Sequence, residues 1–150
     1  MCAGAKRHRV EVVETDQYGA LLAGTAAAIN QVPERLSSSR DGPLWRVKVN
    51  ARHEDLPTRF ATLTHELGHI YCGHLGADPG GRWPDRREKV RSNAQREMEA
   101  EAVCWLVCCR NGVKARSKEY LNSLIRDSDL GTVSMFSIYT AANRVESRSR

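Results

Sequence analysis

Thr62-Leu63-Thr64-His65-Glu66-Leu67-Gly68-His69-Ile70-Tyr71-Cys72-Gly73-His74 is the stretch on which the fold turns. Pro57, with Asp55 just upstream, marks the start of a helix that should run through about Cys72. On that helix His65 and His69 are one turn apart on one face, so both imidazoles can reach a common point. Glu66 is rotated about 100° from His65, near enough to take a proton from a water held there. Phe60, Leu63, Leu67 and Ile70 are the expected buried side. Gly68 costs the helix about 1 kcal/mol relative to alanine. That cost has a reason if another backbone or a substrate approaches closely there.

Two imidazoles at this spacing with a glutamate between them form the His-Glu-x-x-His motif of zincins, in which zinc keeps one position open for water. A third protein ligand is then required. Candidates lie on a second long helix, from about Ser92 to Asn111 with Gly112 as its stop, in Arg96-Glu97-Met98-Glu99-Ala100-Glu101-Ala102. Glu97 and Glu101 share a face, whereas Glu99 points roughly the opposite way. One of the pair could bind metal while the other accepts the free N–H of a histidine ligand. His74 lies beyond reach of the same metal and reads as an exposed loop histidine. Tyr71 and His74 are also candidates for steadying an oxyanion. Met98, Ala102, Trp105 and Cys109 recur at i, i+4, i+7 and i+11 and are expected to face the core.

Upstream, Val10–Glu14 reads as a strand closed by the turn Asp16-Gln17-Tyr18-Gly19. Leu21–Ile29 is ambiguous: its alanines favour helix, its place after a turn favours strand. Ser37–Pro43 is a loop on composition. Leu44–Asn50 alternates as a half-buried or edge strand does, and is a candidate edge for an extended peptide. Downstream of the motif, Gly73–Pro84 reads as a surface loop. Ser117–Arg126 and Met135–Val145 read as further helices, and Arg144–Arg150 as a mobile tail. Strands precede helices, so the class is α+β, one domain over residues 1–150.

Composition narrows the class. At 41% hydrophobic residues the chain is globular rather than disordered, and 6% aromatic content argues against a base-stacking platform. Five cysteines, an odd number, fit a reducing cytoplasm better than a disulfide framework. Cys104 and Cys108 read as buried thiols. No apolar run follows the charged start Met1–Arg9, so no signal peptide is expected, and Ala20–Ile29 is too short to span a bilayer. The net charge is +5. Much of the excess sits in Arg82, Arg86, Arg87, Lys89, Arg91 and Arg96, against Asp85 and Glu88. That run is a solvated face or a cleft rim that attracts an acidic protein or nucleic acid.

The quoted motif, with Glu97-Met98-Glu99-Ala100-Glu101-Ala102-Val103 downstream, resembles the ImmA/IrrE-type metallopeptidases. Those proteins pair a zincin helix with a second helix carrying Glu-x-x-Ala-Asn/Glu. The likeness extends in weaker form over residues 44–112, under half the chain. It implies a zincin-like domain in which a short sheet packs on the motif helix and a second ligand-bearing helix. It also implies zinc ligands His65, His69 and Glu97, with Glu66 as general base. Glu101 stands where the family often has asparagine, and glutamate is common in the family at the place of Glu99. The implied activity is hydrolysis of a peptide bond in a protein partner, such as a repressor or a separately encoded DNA-binding regulator. The alternative is a non-catalytic zincin-fold binding module whose zinc is structural and whose basic run touches nucleic acid.

Overall fold

The computed structural model describes residues 9–17, 22–29, 42–52, 55–114, 121–122 and 130–147. Over these the chain is a small α+β domain: three strands, then three helices and one short 3-10 turn. The strands are β1 (Val10–Thr15), β2 (Gly24–Ala28) and β3 (Trp45–Asn50), and the helices α1 (Leu56–Tyr71), α2 (Asn93–Arg110) and α3 (Met135–Glu146). Ser37–Asp41, the second half of the turn ending at Gly19 and all but Leu121 and Asn122 of the helix expected at Ser117–Arg126 lie outside the described residues.

The sheet order is β1-β3-β2, with β1 parallel and β2 antiparallel to β3. Leu44–Asn50 therefore supplies the central strand and not an edge. Its alternation reflects one face packed on the helices: Trp45, Val47 and Val49 are buried while Arg46 and Lys48 lie on the other side. The ambiguous alanine segment is strand β2, because only a nearly bare backbone fits beside α1. A Cβ on Gly24 would lie 2.7 Å from Thr62 Cγ2 and 2.9 Å from the Lys48 carbonyl oxygen. Tertiary packing overrides the helix preference of alanine. At the end of β3 the buried Asn50 side chain donates to the Leu22 carbonyl at 2.9 Å, tying the entry of β2 to the central strand.

Helix ends follow local chemistry. Asp55 caps α1 by accepting from the Thr58 N–H at 2.9 Å, and Ser92 caps α2 by accepting from the Gln95 N–H at 3.1 Å. Past α2, the Gly112 N–H donates to Cys109 and the Val113 N–H to Cys108, with Gly112 at φ +66, the paired bonds of a Schellman end. Ser134 caps α3.

Gly68 marks the contact of α1 with α2. A Cβ there would lie 3.1 Å from both the Cα and the carbonyl oxygen of Ala100, and 3.3 Å from Val103 Cβ. Helix packing, not substrate approach, explains this glycine. The neighbours are largely backbone, so α2 itself would have to move. Overpacking costs about 1–3 kcal/mol, against a propensity gain of about 1. Gly68→Ala is accordingly expected to lower stability by about 1 kcal/mol net, read as a lower urea midpoint. A midpoint equal to wild type would show that α2 retreats freely.

Three expectations need correction. The inner face of α2 is Ala100, Val103, Cys104, Val107 and Cys108; Trp105 and Cys109 are exposed, and Met98 and Ala102 only half-buried. The side that meets α1 must carry small residues opposite Gly68, which the stripe of larger side chains does not supply. The Gly73–Pro84 segment is not a plain surface loop either. Trp83 is 1% exposed and sits between Trp45 and Tyr71, with ring centroids 5.1 and 4.8 Å away. Lastly, the helix read at Met135–Val145 is present and extends to Glu146, so Arg144, Val145 and Glu146, assigned also to a mobile tail, form the last turn of α3. Val145 is buried and Glu146 pairs with Arg110 at 3.0 Å.

Candidate metal centre

α1 and α2 face each other across the centre. From α1, His65 and His69 bring their Nε2 atoms to 3.2 Å. From α2, Glu97 sets Oε2 3.3 Å from His65 Nε2 and Oε1 3.5 Å from His69 Nε2. Tetrahedral zinc with bonds of about 2.0–2.1 Å separates its donor atoms by about 3.3 Å. The two imidazole nitrogens meet that figure, each Glu97 oxygen lies about that far from one of them, and the chemistry of the set, two imidazoles and a carboxylate, suits zinc. One turn on, Glu101 Oε2 lies 2.8 Å from His65 Nδ1. The spacing of four thus divides Glu97 and Glu101 between the two nitrogens of one ring.

Electrostatics favour a cation at this point. Burial opposes a charge on His65, but Glu101 and Glu97, with Glu66 behind, outweigh it and hold the ring up at about 10. Burial and the His65 charge push His69 down, since two imidazoles this close cannot both be protonated. Burial lifts the Glu66 carboxyl to about 7, aided by Glu97 and opposed by His65 and the Ala26 N–H that donates to it. Ala26 belongs to β2, so the edge strand steadies Glu66.

Beside these groups runs a cleft of about 710 Å³ walled by Gly24 of β2, Thr58, Ala61 and Thr62 of α1, and Cys104 of α2. Asp55, Glu66, Glu97 and Glu101 also line it, with Lys114 as the basic group. Tyr71 and His74 do not. None of the six basic residues in Arg82–Arg96 lines it either, which removes that run as its rim. Arg82 pairs with Asp78, Arg87 with Asp85 and Arg86 with Glu99, while Arg96 donates to the Val90 carbonyl.

Glu99 lies on the side of α2 that the helix period predicts, but its burial against His74 was not foreseen. Glu99 is fully buried on the far side of α2 from Glu97, and His74, 2% exposed, is no surface loop residue. Cys72, His74 and Glu99 have the spacing of a second metal-binding group. Their partners, however, are already internal. Arg86 meets both Glu99 oxygens at 2.6 and 2.8 Å, the Ser134 N–H donates to Glu99 at 2.9 Å, and His74 Nε2 is 2.8 Å from Glu99. The Arg86 cation already neutralises Glu99, and burial beside that carboxylate keeps Cys72 a neutral thiol. The signals for this group were a histidine at the end of the motif and a tryptophan in a glycine-rich segment.

Compared with known proteins, the chain matches no family model, no curated protein and no solved structure. The likeness to the ImmA/IrrE-type proteins therefore rests on the two motifs.

Proposed function

We propose that the chain is a zinc-dependent endopeptidase of zincin-like build, acting on a protein or peptide. The observation that carries this reading is the convergence of His65, His69 and Glu97 at zinc-like separations with Glu66 beside them on the cleft wall. In it, His65, His69 and Glu97 hold the metal and Glu101 accepts the His65 Nδ1 hydrogen. When bound, zinc supplies Lewis acidity, lowering the pKa of a water and polarising a carbonyl. Glu66 would take a proton from the attacking water at its carboxylate and return it to the leaving amine.

The strand beside the cleft is β2, a sheet edge, so an extended substrate would run along β2 and not along β3. A separately encoded DNA-binding regulator is a fitting substrate class. Cys72, Cys104, Cys108 and Cys109 are thiols, which suits a reducing compartment such as the cytoplasm. Among the described residues no helix is long and apolar enough to cross a membrane. A nucleic-acid-binding module with structural zinc is the weaker reading, because Arg82, Arg86 and Arg87 are paired within the domain.

Metal analysis tests the centre. Wild type should hold about one zinc per chain, Glu97→Ala should lose it, and Glu101→Ala should bind about 10–100-fold more weakly. Zinc lost in Glu99→Ala alone, or absent from wild type, would overturn the assignment.

A further inference from the structure

His69 and His74 approach each other by like atoms, Nδ1 to Nδ1 at 3.0 Å. One of the two must donate and the other accept, and the buried groups behind them decide which. Glu99 Oε1 accepts from Arg86 Nη2 and from the Ser134 N–H; Oε2 accepts from Arg86 Nη1 and faces His74 Nε2. An ionised carboxylate only accepts, so the hydrogen of this last contact is on His74 Nε2. A ring that turns Nε2 to a cation keeps its hydrogen on Nδ1, and on His69 that hydrogen points at His74 Nδ1, 3.0 Å away. His74, whose Nε2 hydrogen is engaged by Glu99, presents Nδ1 as the acceptor. The same arrangement turns His69 Nε2 toward His65 and Glu97.

We propose that Glu99 and His74 are positioning residues that fix the tautomer and ring direction of His69, as Glu101 fixes the ring direction of His65, so that both Nε2 atoms are aimed at one cation. The relay joins four parts of the fold. Arg86 enters it from the segment between α1 and α2, Ser134 from the cap of α3, Glu99 from α2 and His74 from just past α1. This inference rests on the metal-centre reading above, and it gives the Cys72-His74-Glu99 group a task other than holding a second ion.

The test combines zinc titration by chelator competition with long-range ¹H–¹⁵N spectra of the histidine rings. In the zinc-free wild type, the spectra should show His69 with its hydrogen on Nδ1. His74→Leu, which removes the acceptor, should bind zinc about 10–100-fold more weakly. His74→Gln, which keeps an amide oxygen for His69 and an N–H for Glu99, should recover most of that loss. A His69 hydrogen found on Nε2 overturns the relay, as does a folded His74→Leu that binds zinc as tightly as wild type. Where His74→Leu does not fold, the wild-type spectrum decides. A wild type that binds no zinc overturns the metal-centre reading instead, and the ring spectrum still reports on the relay.

Discussion

Glu66→Gln is expected to abolish peptide hydrolysis while leaving zinc in place. The amide has nearly the shape of the carboxylate and still offers an oxygen to the Ala26 N–H, so the local packing has no reason to change. It cannot take a proton. General acid–base groups contribute about 10²–10⁴-fold, and Glu66 would act in both directions of proton transfer. A fall in kcat/KM of about 1,000-fold or more is the expected result, about 4 kcal/mol of transition-state stabilisation. Glu66 is not among the three groups whose donor atoms converge, so zinc content should equal that of wild type. Turnover of a peptide library by both proteins, with zinc measured on the same samples, checks both halves. Undiminished cleavage by the glutamine variant would remove Glu66 from the mechanism.

Arg86→Met is expected to cost about 3–5 kcal/mol of stability, the usual consequence of leaving one partner of a buried ion pair without its opposite charge. That is a large share of the roughly 5–15 kcal/mol holding a small domain together. Glu99 is fully buried, and its carboxyl lies at about 2 only because hydrogen bonds and charge from His74, Arg86 and Ser134 overcome the opposing effect of burial. With the guanidinium gone, burial dominates and the carboxyl takes up a proton. Arg86→Lys should recover only part of the loss, since one ammonium cannot reproduce two parallel bonds at 2.6 and 2.8 Å. Urea unfolding measures the effect, and a Met variant with the wild-type midpoint would mean the pair contributes nothing net.

Local chemistry made much of this molecule legible. The limits of α1 and α2 follow from Asp55, Pro57, Ser92 and Gly112, residues whose effect is confined to a single turn. The division of Glu97 and Glu101 from Glu99 likewise needs only the period of a helix. What stayed hidden depends on partners distant in sequence. Arg86 looks like one more surface charge until Glu99 is brought opposite it. Trp83 sits among glycines and prolines that carry no periodic signal, and its burial is decided by Trp45 and Tyr71. The central place of β3 was equally unreadable, because alternation reports which faces are wet and not how many neighbours a strand has.

That central place has a consequence for how the chain assembles during synthesis. β1 and β2 emerge first, yet neither touches the other in the sheet; both pair only with β3. Val10 waits for Trp45 and Gly24 for Val49, so among the described residues neither β1 nor β2 has a ladder partner before β3. α1 begins soon after β3 ends, and its apolar side is available to cover the sheet almost as soon as the sheet exists. Pairings so distant in sequence are slow to find, and until then two unpaired strands stand open to other chains. The nascent protein is thus most vulnerable to aggregation before Asn50 has left the ribosome, well ahead of any residue that would hold the metal.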